Sequence, residues 1–426
     1  RKSTREPVGR PELLGHRSDE RAPLGLDVRR LALEWEIQHQ LARGIGRREL
    51  DAPGNPVRRQ RDPSIDGHRK RETAGVVGVF ADQVHPPGRV RREGGLDIAS
   101  HQHKRTGWPQ PRPAPRRAVT SKLRRMFCHD RPMPRAELPT GIEIEYETFG
   151  NPAAPTLLLV CGYTSQLNGW DAGLCARFVE QGLHVVRYDN RDVGLSSKLT
   201  GHVRPDQVLR AILAGEPTPD VPYTLSEMAG DGIGLLDQLG VERAHIAGVS
   251  MGGMIVQTMA IEHPSRITSL TSFMSSTGDP RCEAATPEAR EALLAPPPLD
   301  RDGYIAASTR AEVWASKRYV DHDAMRARAA ADYDRAFYPP GAVRQLAAIY
   351  ASGDRTEALR ALAVPTLVVH GRDDTLITPS GGEATAAAIA GSKYLLLADM
   401  GHDLPPPLWP VFAVAIGGHI RIAEAA

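Results

Sequence analysis

The sequence predicts an α/β fold, a mostly parallel central sheet with helices on both faces and a helical cap. Three observations carry that expectation. From residue 140 onward, short apolar runs alternate with helical patterns, as strands joined by crossover helices require. Several of the runs are unbroken stretches of leucine or β-branched residues, which suits strands covered on both faces. The alternation then stops over residues 280–360, where alanine-rich helical sequence is jointed by Pro296-Pro297-Pro298 and Pro339-Pro340. An insertion there is expected to form a cap over the carboxyl ends of the strands, where open α/β sheets bind ligands.

Taken in order, the expected strands are Ile142–Thr148, Thr156–Val160, His184–Tyr188, Ala244–Val249, Ile267–Met274, Thr366–His370 and Tyr394–Leu397. Thr224-Leu225-Ser226-Glu227 is a capping box, in which the threonine side chain and the glutamate three residues on satisfy each other's backbone N–H groups. It opens a helix whose Met228, Leu235, Leu236 and Leu239 share one face, and Gly240 closes it. A second helical run, Met254–Glu262, follows the fourth strand. No internal repeat is apparent.

The chain divides compositionally near residue 125. Residues 1–125 hold 28 Lys+Arg against 15 Asp+Glu, whereas the whole chain has a formal charge of only +2. This first stretch contains no Met, Tyr or Cys, a single Phe (Phe80), and 24 arginines against 4 lysines. Charges and Pro/Gly pairs interrupt its short apolar patches, so residues 1–133 are read as a basic, Arg/Pro/Gly-rich extension without a core of its own. A basic arm for nucleic acid is the functional alternative, but Arg112-Pro113-Ala114-Pro115-Arg116-Arg117 lacks the aromatic interleaving of a stacking platform and matches no nucleic-acid-binding motif. A further expectation is that the stretch is not natively translated, since its bias suits a GC-rich upstream frame and Met126 and Met133 are the first methionines. Residues 134–426 form the folded domain, with the cap at about 280–360.

The four cysteines, Cys128, Cys161, Cys175 and Cys282, form no CxxC pair, so neither a disulfide framework nor a zinc site is suggested. A reducing, cytoplasmic setting is expected. No run of 18 apolar residues suggests a membrane span, and no secretory signal pattern opens the sequence. No cofactor or metal is implied, and the sequence leaves the oligomeric state open.

The chemistry concentrates in Gly248-Val249-Ser250-Met251-Gly252, which follows an expected strand and precedes a helical run. A nucleophile carried on a sharp strand-to-helix turn needs flanking glycines for close backbone approach. Ser250 is the candidate nucleophile, and the backbone N–H of Met251, at the positive end of the following helix, is a candidate oxyanion donor. A serine hydroxyl needs a base held by a third group. Gly371-Arg372-Asp373-Asp374 follows one later strand and Gly401-His402 the next. Asp374 and His402 are therefore the candidate acid and base, in the order Ser, Asp, His. The second oxyanion donor is assigned to the backbone N–H of Tyr163, in Cys161-Gly162-Tyr163 after the second strand. His370, at a strand end, and His263, before Pro264 at a helix stop, are read as structural. Trp314, Tyr333, Phe337 and Tyr338 either line the substrate pocket or pack the cap.

On these residues the sequence resembles the α/β-hydrolase superfamily, and most of all its branch of aclacinomycin methylesterase-like bacterial hydrolases. The resemblance runs from about Gly141 to the C-terminus, through Leu157–Trp170, Val186–Ser197, the Ser250 elbow, Ser276–Pro280, Pro365–Pro379 and Gly401–Pro405. One departure is Cys161-Gly162, where many members have His-Gly. The resemblance implies that Arg191 and Asp192 brace the loop bordering the site. It also implies a carboxylic ester hydrolase acting through an acyl-enzyme on a small-molecule ester, such as a methyl ester or lactone. Carbon–carbon bond hydrolysis or cofactor-free perhydrolysis on the same triad is the alternative chemistry. A non-catalytic small-molecule binder is the alternative from another class.

Overall fold

The computed structural model describes residues 134–425. The expectations for residues 1–133 lie outside them. In chain order the sheet is built from β1 (Arg135–Glu137), β2 (Glu143–Phe149), β3 (Thr156–Val160), β4 (His184–Tyr188), β5 (Ala244–Val249), β6 (Ile267–Phe273), β7 (Thr366–Gly371) and β8 (Lys393–Leu397). Their spatial order is β1-β2-β4-β3-β5-β6-β7-β8. β1 and β2 pair antiparallel, β2 is antiparallel to β4, and every pair from β4 to β8 is parallel. The seven expected strands are all present within one residue at either end. β1 is additional: three residues with only Ala136 buried give too short an alternation to read.

Period-two alternation gives the sheet its two cores. Leu157 and Leu159 of β3 face one side with Val185, Ala247, Phe273 and Val369, while Leu158 and Val160 face the other with Val186, Tyr188, Ile246 and Leu270. Helices α1 (Ala172–Glu180), α2 (Pro205–Ala214), α3 (Leu225–Gln238) and α4 (Met251–Glu262) connect the strands up to β6. Leu174, Cys175 and Phe178 of α1 belong to the first core, and the α3 residues Met228, Leu235 and Leu236 to the second. The capping box forms: Thr224 accepts from the first turn of α3, and Glu227 accepts the Thr224 N–H. α4 is buried on all sides from Met251 to Ala260, because it runs under the sheet from the centre of the molecule.

Between β6 and β7 lie α5 (Pro287–Leu294), α6 (Arg301–Ala307), α7 (His322–Arg335) and α8 (Pro339–Ser352). Thr286, Asp300 and Asp321 cap the first three with their side chains, and Pro339-Pro340 opens α8, where the missing N–H costs nothing. Within this insertion Tyr304, Tyr333 and Phe337 pack on one another, with Tyr333 and Phe337 stacked at 4.6 Å. A short α9 (Thr356–Arg360) then leads into β7, and the chain completes with α10 (Pro379–Ala388) and α11 (Trp409–Glu424). α11 closes the first core through an edge-to-face chain in which Trp170 meets Phe273 at 5.8 Å and Phe273 meets Phe412 at 5.5 Å. No described helix is long and apolar enough to cross a membrane.

Parallel register aligns the strand ends that matter. Val160 pairs with Gly248, Val249 with Phe273, and Gly371 with Leu397. The loops after β3, β5, β7 and β8 therefore leave the same edge of the sheet.

Candidate active site

Ser250 stands in the turn between β5 and α4, with φ 55° and ψ −122°, a conformation that a residue with a Cβ rarely adopts. The turn is over-determined. The Ser250 N–H donates to the Phe273 carbonyl at 2.9 Å, and the Ser275 hydroxyl donates to the Ser250 carbonyl at 2.8 Å. Gly248 is needed here because a Cβ would stand 2.1 Å from the carbonyl oxygen of Gly252, across the elbow. Ser250 occupies the cap position of α4, yet its side chain makes no capping bond, so Oγ is not consumed by the helix. The sequence pattern placed the helix start at Met254, three residues late, because the glycines of the elbow conceal its first turn. Met251 opens α4 and is buried; its N–H belongs to the first turn, which lacks the i−4 carbonyl of a helix interior.

The β3 loop lies directly beside this elbow. A methyl group on Gly162 would stand 3.2 Å from the Ser250 Cβ and 3.8 Å from its Oγ. Tyr163 follows, then Thr164 at φ 58°, in a turn closed by the Ser165 N–H on the Gly162 carbonyl at 3.2 Å. Cys161 is buried, and its thiol donates to the Gln166 carbonyl at 3.1 Å. Burial pushes that thiol up to about 12, which makes it an inert packing group.

Asp374 and His402 meet across the ends of β7 and β8. Asp374 Oδ2 is 2.6 Å from His402 Nδ1, and Oδ1 accepts the N–H groups of Leu376 at 2.9 Å and Ile377 at 3.0 Å. Burial alone would raise the Asp374 carboxyl, but the two imidazoles of His402 and His370 outweigh it and hold it below the ordinary carboxylate range. The bond at Nδ1 makes that nitrogen the protonated one, leaving His402 Nε2 for chemistry. The neighbouring carboxylate, Asp373, is turned outward and pairs with Arg372 at 3.2 Å.

His370 is buried and donates to the Ile377 carbonyl at 2.8 Å, as a structural residue does, but its Nε2 also lies 3.5 Å from Asp374 Oδ2. Sequence position alone does not reveal that second contact. His263 is the C-cap residue of α4 and donates its backbone N–H to the Met259 carbonyl at 2.9 Å.

The 189–199 loop is braced as the resemblance implied. Arg191 forms a two-pronged pair with Asp231 at 2.6 and 2.7 Å, and Asp192 does the same with Arg344 of α8 at 2.8 and 2.9 Å. Next to Arg344, the buried Gln345 accepts the Thr164 N–H at 2.9 Å and donates to the Arg191 carbonyl at 3.1 Å. Gln345 thus ties the β3 loop to the β4 loop from the cap. Of the aromatic candidates, Tyr333 and Phe337 pack within the cap, and the Tyr338 hydroxyl donates to the Leu199 carbonyl at 3.1 Å. No group of residues suited to holding a metal ion occurs among the described residues.

Comparison with known proteins agrees with this architecture. Rhodomycin D methylesterase of Streptomyces peucetius is 27% identical over 303 residues, covering 65% of this chain and 94% of that protein. 3-Oxoadipate enol-lactonase 2 of Acinetobacter baylyi is 25% identical over 256 residues, covering 60% of this chain and 85% of that protein. The crystal structure of the enol-lactonase from Burkholderia xenovorans superposes with a TM-score of 0.53 at 25% identity, over 68% of this chain and all of that one. The model of the alpha/beta hydrolase fold matches residues 155–405. That match spans the elbow, the β3 loop, the Asp374 loop and His402 together, and the chain belongs to the α/β-hydrolase family.

Proposed function

We propose that this protein hydrolyses a carboxylic ester of a small molecule, a methyl ester or a lactone, with Ser250 as nucleophile. The observation that carries the reading is the 2.6 Å contact of the buried Asp374 with His402, set on the same sheet edge as a strained serine whose hydroxyl is not spent on capping. Ser250 Oγ attacks the ester carbonyl while His402 Nε2 takes its proton, and Asp374 stabilises the imidazolium that forms. The N–H groups of Met251 and Tyr163 receive the oxyanion. His402 returns the proton to the leaving alcohol, and water, deprotonated by the same imidazole, releases the acid. In a lactone the leaving alcohol stays attached to the acyl group, and one hydroxy acid is the product. The similarity to a methylesterase and to enol-lactonases supports these two ester types.

The test is labelling with a fluorophosphonate probe, followed by a screen of methyl, p-nitrophenyl and lactone esters. Wild-type protein is expected to label and turn over ester, and Ser250→Ala to do neither while remaining folded. Loss of on the order of 10⁴ or more is expected on removing a triad member. Ester turnover retained by Ser250→Ala would overturn the assignment. Absence of both labelling and turnover in wild type would favour a binder. Labelling without ester turnover would favour carbon–carbon or perhydrolase chemistry.

A further inference from the structure

We infer that Ser316 is a positioning residue for His402, acting from the cap on both neighbours of the imidazole. The inference rests on the triad reading above. Ser316 is wholly buried in the insertion, just after the short helical turns that follow α6. Its hydroxyl accepts the Gly401 N–H at 2.9 Å and donates to the Asp403 carboxylate, and its own N–H reaches the same carboxylate oxygen at 3.1 Å. The two residues flanking His402 are therefore fastened to one side chain. The backbone N–H of His402 itself donates to the Trp314 carbonyl at 2.7 Å.

The contact leaves no slack. A methyl group on Gly401 would stand 2.3 Å from the Trp314 carbonyl oxygen and 2.6 Å from the Ala315 carbonyl carbon, so the two backbones touch directly. One residue earlier, the Val313 carbonyl accepts the Thr375 hydroxyl at 2.9 Å, next to Asp374. Residues Val313 to Ser316 thereby hold the acid loop and the histidine loop against one frame. His402 comes from a loop at the chain's C-terminal side, and these contacts add to the bond that the Asp373 N–H makes to the Met400 carbonyl at 3.0 Å.

Without the Ser316 hydroxyl, the Gly401 N–H and the half-buried Asp403 carboxylate lose a partner and the loop relaxes toward one that it can find. A displacement of about 1 Å in a catalytic group can cost 10²-fold in rate. Ser316→Ala is therefore expected to lower kcat by about 10- to 100-fold with KM within about 3-fold of wild type, because the change acts on the placing of the imidazole and not on substrate binding. The decisive measurement is the double-mutant cycle with His402→Ala. If Ser316 acts through the imidazole, Ser316→Ala will cost almost nothing further on the His402→Ala background. An equal loss on both backgrounds, or a lowered melting temperature with kcat unchanged, would overturn the inference while leaving the triad intact. Full activity of His402→Ala would overturn the triad and this inference with it. If Ser316→Ala does not fold, Asp403 carries the same comparison: Asp403→Asn keeps an acceptor for Ser316 and should retain most of kcat, whereas Asp403→Ala should not. Equal rates for those two variants would also refute the role.

Discussion

Neutralising Asp374 separates two adjacent carboxylates by chemistry rather than by burial. Asp374→Asn keeps the size of the side chain and one acceptor for the Leu376 and Ile377 N–H groups, but it removes the charge that faces His402 Nδ1 at 2.6 Å. With charge centres roughly 4 Å apart and an effective dielectric of about 20, that charge is worth about 4 kcal/mol to an imidazolium. In the proposed mechanism the imidazolium exists only after Ser250 has given up its proton, so the loss is expected on the barrier. At 1.36 kcal/mol per decade this is about 10³-fold in kcat, and the amide's preference for the wrong imidazole tautomer can add a further decade. Asp373→Asn should cost less than about 3-fold, since that side chain faces outward toward Arg372. The assay is steady-state hydrolysis of whichever ester the screen identifies, with folding checked by circular dichroism and residual serine reactivity by fluorophosphonate labelling. A loss from Asp373→Asn equal to or larger than that from Asp374→Asn, in folded proteins, would refute the reasoning.

Further outcomes follow from the same geometry. Gln345→Leu should lower kcat by about 10-fold or more at near-constant fold stability if the Thr164 and Arg191 loops need that bridge; unchanged kinetics would reduce Gln345 to packing. Ser250→Gly should abolish turnover yet raise stability by about 1 kcal/mol, because glycine relieves the φ of 55°; a lower urea midpoint would argue against strain at the elbow. Burial holds the imidazoles of His184, His245 and His419 below their ordinary value. The unfolded chain therefore takes up protons that the folded one refuses as pH falls through about 6.5, so stability is full above that pH and declines toward pH 5, which paired urea titrations would detect. The Asp374 carboxyl, held low, adds a second loss at more acid pH, beginning as pH falls through the ordinary carboxylate range. A chain beginning at Met133 retains every described strand and both cores and should match the full-length kcat/KM; a large deficit would assign the preceding residues a role in the fold or the reaction.

Strands β3, β4 and β5 were legible to the residue because each is a short apolar run bracketed by turn residues and buried on both faces. Ser250, Asp374 and His402 were legible as candidates because each sits at a fixed offset from a strand end. What escaped was whatever depends on partners distant in sequence. Gln345 is one polar residue in an alanine-rich helix, and its meaning comes from a backbone N–H 181 residues earlier. Ser316 is bonded to Gly401 and Asp403, 85 and 87 residues later, and no local pattern encodes that. His370 looked structural because it ends a strand, and only the fold brings Asp374 back beside it. The first turn of α4 was missed for the opposite reason, since the glycines that permit the elbow are themselves poor helix formers.

The fastening of the insertion to the Asp374 and His402 loops bears on where this protein can diversify. α6 and α7 carry solvent-facing pairs such as Arg301–Asp334 and Arg326–Asp323, which tolerate exchange at little cost. Val313–Ser316 and Gln345 are different, because altering them disturbs backbone atoms on which Asp374, His402 and the Gly162–Tyr163 loop depend. A chimera that grafts a whole insertion from a relative would inherit new substrate contacts together with a mismatched scaffold for the histidine. A combinatorial library that keeps these five positions and randomises the exposed helical faces would change what the protein accepts while sparing how it reacts.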